Sequence, residues 1–337
     1  MDQLLQRTIS LRLPHGCGAI LFVCVIIAAL PLHAAESVAA RRIGYLTLDT
    51  AAAHVPYGAA FRQGLRERGY IDGQNIAIEW RYAENDPTRL AGLAAELVRL
   101  RVEVLVVDAT QAALAAKRAT STIPIVVTVS SDLVAAGLAA SLARPGGNVT
   151  GSVIMSPDLV GKRLALLKEV APRTRRVAVL WNPDNPASEM QLKATEAAAA
   201  ALGLVVHSVP VRQAREIDRA FSSHVGPVES LLVTDDPLLD VNRTRIMMLA
   251  AKKGLASMCG YPIAGDTDCL ISYGSDVTTL YPRAARFVDL ILKGAKPADL
   301  PIEQPTTFRF IINLKAAKAF GHTIPPSVLV RADEVIQ

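Results

Sequence analysis

Short β-branched runs alternate with longer helical stretches along most of this chain, and the alternation occurs in two series. The first series predicts strands over 43–47, 76–82, 102–107 and 123–129 and helices over 57–68, 86–100, 111–119 and 133–143. Asp86-Pro87 supplies an N-cap and a first-turn proline for the second of these helices. Arg144-Pro145-Gly146-Gly147-Asn148 is the strongest break. Beyond it the pattern resumes, with strands over 177–181, 204–209, 230–234, 255–258 and 271–273, a long helix over 277–293, a last strand over 306–312 and a last helix over 314–320. Strands separated by helices of this length need right-handed crossovers and parallel pairing. Two series therefore predict an α/β protein of two doubly wound parallel-sheet lobes. Val104-Leu105-Val106-Val107 is apolar throughout, as a strand covered on both faces must be.

A chain of 337 residues is long enough for two domains, and 51% apolar residues supply their cores. Aromatics are 5%, so the apolar content is mostly aliphatic and suits Ala-rich helices on buried strands. The formal charge is +5, with Lys and Arg dispersed among Asp and Glu. No basic run interleaves with aromatics, which argues against a nucleic-acid partner.

Residues 1–34 read as an export signal. Arg7 and Arg12 precede an apolar stretch from Ala19 to Leu30, Pro31 breaks it, and Leu32-His33-Ala34 ends on a small residue suited to cleavage. The stretch falls short of the roughly 20 residues that span a bilayer, so no stable membrane insertion is expected after cleavage, and the mature protein is expected in the periplasm. Cys259 and Cys269 are then the remaining cysteines. In an oxidising compartment they either form a disulfide or stay as two buried thiols. Two cysteines without histidines at ligand spacing are too few for zinc, and no metal or cofactor is expected.

In open parallel sheets, ligands bind outside the carboxyl ends of the strands. In the first series those ends carry Thr47, Asp49, Thr50 and His54, then Asp108, Thr110 and Gln111, then Ser130, Ser131 and Asp132. In the second they carry Asn182 and Asn185, then Asp235 and Asp236, with Tyr261 and Tyr273 at later strand ends. Any one of the short polar residues is explained by helix capping; their concentration in both lobes predicts a ligand cleft. Helix N-termini suit a ligand carboxylate and the aspartates suit a ligand ammonium, and an amino acid carries both. Nothing in the chain matches a nucleophile elbow, a P-loop, a zinc-protease helix or a dinucleotide loop after a strand, so an enzyme is not expected.

Several longer runs carry a resemblance. They are Phe61 to Asn75 (Phe-Arg-Gln-Gly-Leu-Arg-Glu-Arg-Gly-Tyr-Ile-Asp-Gly-Gln-Asn), Ala116 to Pro124, Leu142 to Gly151, Gly161-Lys162-Arg163-Leu164, Val179 to Pro183, and Ala316 to Lys318 with Thr323 to Pro326. Together they resemble the ABC transporter substrate-binding family that includes tryptophan- and tyrosine-type uptake proteins, over essentially the whole mature chain. The resemblance implies a type I periplasmic-binding fold with a three-segment hinge near 150–154, 273–276 and 302–306. It implies an N-terminal lobe of 41–151 plus 276–302 and a C-terminal lobe of 152–275 plus 303–337. It also implies a small-molecule ligand, permease and ATPase partners, and action as a monomer without covalent chemistry. Two departures fall in the expected cleft. Asp108-Ala109-Thr110 stands where relatives often have Gly-Gly-Thr, and Ser131-Asp132-Leu133 where they often have Gly-Asp-Pro. Against this reading stand a soluble α/β enzyme and a ligand-sensing receptor not coupled to transport.

Overall fold

The computed structural model describes residues 41–225, 227–262 and 268–337; the expected export signal at 1–34 lies outside them. Among the described residues, strands β1 (Arg41–Thr47), β2 (Ile76–Tyr82), β3 (Val104–Val107), β4 (Ile125–Val127) and β5 (Val149–Gly151) form one sheet. It is wholly parallel, in the order β2-β1-β3-β4-β5. Helices α1 (Val55–Arg66), α2 (Leu90–Arg99) and α3 (Thr110–Ala119) connect its strands.

The second lobe follows with α4 (Ser156–Val170), β6 (Arg176–Trp181), α5 (Pro186–Ala201), β7 (Val205–Pro210), α6 (Ile217–Arg219), β8 (Ser230–Val233), α7 (Pro237–Val241), α8 (Arg243–Lys252), β9 (Ala256–Cys259) and β10 (Ile271–Ser275). After α9 (Leu280–Leu292) come β11 (Phe308–Asn313), α10 (Leu314–Phe320), α11 (Pro326–Leu329) and β12 (Glu334–Ile336). Its sheet runs β12-β11-β10-β9-β8-β6-β7.

The central strands of each sheet are buried on both faces because they are apolar at odd and even positions alike. On β1, Ile43 and Tyr45 face one layer, made with Phe61 and Leu65 of α1 and Phe287 and Val288 of α9. Leu46 faces the other, made with Leu97 of α2 and Ala112 and Ala116 of α3. On β6, Val177 and Val179 meet Leu164 and Leu167 of α4, while Ala178 and Leu180 meet Leu239 of α7 and Ile246 of α8. This two-residue alternation is the strand's own period.

The helix α9 follows a strand of the second sheet yet packs on α1 and on β3, β4 and β5 of the first. The chain passes between the sheets at three places: after β5, between β10 and α9, and on the way to β11. These segments are bonded to one another. Val153 N donates to Glu303 O at 2.9 Å, Glu303 N donates to Gly151 O at 2.9 Å, and Ser275 Oγ donates to Ile154 O at 3.2 Å.

Four expectations need correction. No helix covers 133–143. Gly137 takes φ +71°, and a turn in which Leu138 N donates to Leu133 O at 2.9 Å buries the two leucines instead. The expected strand at 123–129 shrinks to Ile125–Val127 after Pro124, which has no N–H to donate. The crossing expected at 150–154 begins later than 150, because Thr150 and Gly151 still pair with β4. The second sheet is mixed rather than parallel, because β11 runs antiparallel to β10. The short elements α11 and β12 had no counterpart in the sequence pattern.

Candidate functional site

The carboxyl ends of both sheets open onto one cavity. Its first-lobe wall holds Thr47 and Asp49 after β1, Asp108 and Thr110 after β3, Ser130 and Ser131 after β4, Tyr57 from α1, and Tyr281 from α9. Its second-lobe wall holds Asn185 after β6, Asp235 and Asp236 after β8, Asp240 from α7, and Tyr261 after β9. Ile154 and Val277, next to two of the crossings, also face it.

The first-lobe polar groups form a network around one imidazole. His54 is 1% exposed. Its Nδ1 lies 3.0 Å from Asp49 Oδ2 and 3.8 Å from Asp108 Oδ2. Tyr281 OH donates to Asp108 Oδ2 at 2.9 Å, and Thr128 Oγ1 donates to Asp108 Oδ1 at 2.9 Å. Burial pushes the Asp108 carboxyl up to about 6, with the Asp49 charge adding to the rise and His54 opposing it. Thr110 and Ser130 share a hydroxyl–hydroxyl bond of 2.9 Å, whereas Ser131 Oγ is buried in the wall without a protein partner.

The raised Asp108 carboxyl has a measurable consequence. Its folded value lies above its unfolded one, so the carboxylate costs nothing below about pH 4. The cost grows between about pH 4 and 6 and is complete above that window, at up to about 3 kcal/mol. We expect the melting temperature of Asp108→Asn, taken relative to wild type, to rise by several degrees from pH 4 to pH 7. A difference that stays constant over that range would show that the carboxylate is not strained.

The second-lobe acids are held differently. Arg163, 1% exposed on the inner face of α4, reaches Asp235 Oδ2 with Nη1 at 3.1 Å and donates from Nε to Tyr273 O at 2.8 Å. Gln191 clamps the Asp235 backbone, accepting from its N–H at 2.9 Å and donating to its carbonyl at 3.2 Å. A methyl group on Gly260 would overlap the Asp235 carboxylate, so only glycine fits there. Asp236 caps α7 by accepting from Leu238 N at 2.9 Å, and its other oxygen accepts from Asn185 at 2.8 Å and Asn182 at 3.2 Å. Burial raises it to about 6, with Asp240 adding and Asn185 opposing. Asp240 accepts from Tyr261 OH and from Arg243 Nη2; burial raises its carboxyl above the ordinary range.

Of the residues singled out in the sequence, Thr47, Asp49, Asp108, Thr110, Ser130, Ser131, Asn185, Asp235, Asp236 and Tyr261 line the cavity. Six do not. His54 lies behind Asp49 and Asp108, and Asn182 behind Asp236. Thr50 accepts from Ala53 N, and Asp132 caps its own turn at Val134 N and Ala135 N. Tyr273 packs on Phe308 and Phe310. Gln111 instead crosses the gap, its Nε2 donating to Asp184 O in the other lobe at 3.0 Å. Tyr57, Tyr281, Asp240 and Arg163 were missed. Arg163 had a readable signal, since it occupies the apolar stripe of α4 between Val160 and Leu167. Tyr281 had no local signal: the resemblance returned its helix to this lobe, but nothing in the helix pattern marked the tyrosine.

Cys259 and Cys269 are joined in a disulfide with Cα atoms 6.2 Å apart, within the ordinary range. The bond anchors the segment that presents Tyr261. Asp49, His54 and Asp108 could hold a metal ion, with ligand atoms within 4.8 Å of one another. Asp49 and Asp108 are already bonded to His54, Tyr281 and Thr128, while His54 Nε2 is buried without a hydrogen-bond partner. Among the described residues, no helix is long and apolar enough to cross a membrane.

Residues 54–336 match the sequence profile of the ABC transporter substrate binding protein family. A tyrosine-binding protein of Clostridioides difficile is 30% identical over 269 residues, 77% of this chain and 74% of that protein. A Streptococcus pneumonia ABC domain solved in complex with L-Trp superposes with a TM-score of 0.82 at 27% identity, over 88% of this chain and all of that one. A ligand-free, open substrate-binding protein with adhesive properties from Clostridium difficile, also 27% identical, superposes at 0.64 over 88% of this chain and 99% of its own. At equal identity, this chain superposes better on the L-Trp complex than on the ligand-free, open structure.

Proposed function

Since the chain belongs to the ABC transporter substrate-binding protein family, whose members are binding proteins rather than enzymes and are typically extracytoplasmic, we propose that it captures an amino acid or a related small molecule in the inter-lobe cavity for an ABC importer. The lobes, 41–151 plus 276–302 and 152–275 plus 303–337, would close about the three crossings, and the closed form would dock on the permease and its ATPase after export to the periplasm. One observation carries this reading: a single cavity is walled by the strand ends of two separate sheets, with acceptors for an ammonium on both sides. The Ser131 hydroxyl and the N-terminal turn of α3 offer donors to a carboxylate. The bond from Gln111 to Asp184 O is a latch that closure would make and opening would break. The superposition on the L-Trp complex supports the same arrangement.

Uptake at micromolar to nanomolar affinity requires about 8 to 12 kcal/mol, within reach of a buried ligand whose charges are all paired. The test is thermal shift and calorimetry of the mature protein against amino acids, aromatic ones included, with solution scattering on each binder. Saturation at 100 times Kd should add about 2.7 kcal/mol of stability, and a binder should reduce the radius of gyration. If no amino acid or related small molecule stabilises the folded protein, the reading fails.

A further inference from the structure

Five carboxylates line the cavity: Asp49, Asp108, Asp235, Asp236 and Asp240. No lysine, arginine or histidine is in that wall among the described residues. The acids differ in how their charge is met. Asp235 has Arg163, and Asp240 has Arg243. Asp236 is held by neutral donors, the Asn182 and Asn185 amides and two backbone N–H groups. Asp49 and Asp108 share the single imidazole of His54, which sits nearer to Asp49. The uncompensated charge therefore sits at Asp236 in the second-lobe wall and at the Asp49–Asp108 pair in the first, and the pair stands beside two tyrosines. Tyr57 and Tyr281 stack with ring centroids 4.8 Å apart, and both line the cavity, as does Tyr261 across the gap. Carboxylates backed by aromatic rings are the surroundings that favour an organic cation. The unpartnered Ser131 hydroxyl, 5% exposed in the same lobe's wall, is a second sign that a ligand polar group completes this side.

A zwitterion brings no net charge, so closing over it would leave the surplus buried and uncompensated. A monocation removes part of that surplus. Resting on the small-molecule capture proposed above, we infer that the cleft prefers a ligand of net positive charge, an amine whose ring lies among Tyr57, Tyr261 and Tyr281 and whose ammonium is held by Asp49 and Asp108. The class is that of aromatic amines, which share the body of an aromatic amino acid without its carboxylate.

Calorimetry of the mature protein with two matched pairs, tyramine against tyrosine and tryptamine against tryptophan, tests this directly. The amine of at least one pair should bind about tenfold or more tightly than its parent, and in Asp108→Asn that ratio should fall to within about threefold. Amino acids that bind as tightly as their amines would overturn the inference while leaving amino-acid capture standing. A ratio unchanged by Asp108→Asn would overturn the assignment to that carboxylate. If neither member of either pair binds, the inference falls, and the wider amino-acid panel decides separately whether the capture reading falls with it. Should Asp108→Asn not fold, Asp49→Asn tests the holder, and the wild-type comparison alone decides the charge preference.

Discussion

Arg163→Met should destabilise the protein by about 3–5 kcal/mol, read as a lower urea midpoint for unfolding. Methionine fills much of the same volume on the buried face of α4, so a cavity is not the main effect. The loss comes from Asp235, whose side chain is 4% exposed and would be left without its guanidinium partner. The carbonyl of Tyr273 would lose its donor at the same time. Removing both charges should behave differently. Arg163→Met with Asp235→Leu leaves no buried ion and should recover most of the stability, as apolar replacement of a buried pair commonly does. It should not recover ligand affinity, because Asp235 lines the cavity. A single variant within about 1 kcal/mol of wild type would mean that water or a neighbouring group already compensates Asp235.

Gly151→Ala should cost several kcal/mol or abolish soluble expression. Gly151 sits at φ +136°, a region L side chains rarely adopt, and it ends β5 where the first crossing begins. An added Cβ would lie 2.6 Å from Val127 N and 2.8 Å from Val127 C, and closer still to its carbonyl oxygen. Those atoms belong to β4, fixed between β3 and β5, so neither strand can move aside without breaking ladder bonds. Gly147→Ala is the control. Its Cβ would meet only the flexible end of Lys117 at 3.6 Å, and a change within about 0.5 kcal/mol is expected. Wild-type unfolding of Gly151→Ala would refute the argument.

The residues alone determined what depends on near neighbours in the chain. The apolar run of β3 fixed a strand covered on both faces, Asn313 and Gly321 bracket a helix whose limits were read correctly at both ends, and polar residues at the ends of apolar strands marked ten positions of the cavity wall. Periodicity and capping are short-range properties, so these features survive any rearrangement of the lobes. The same short range explains the helix wrongly expected at 133–143, where burial of Leu133 and Leu138 is met by a turn as well as by a helix.

Tertiary structure decided the rest. The return of α9 to the first lobe was implied by the family resemblance and by no local pattern, and only the fold placed Tyr281 beside Asp108, 173 residues away, to which its hydroxyl donates. It set β11 antiparallel to β10, joined Cys259 to Cys269, and turned Arg163 inward to meet an aspartate 72 residues away. Each of these pairs groups with no local preference for one another. What brings them together is the burial of two sheets whose strands the chain visits out of order, so the partners of the cleft's charges follow from the crossings rather than from any stretch of sequence.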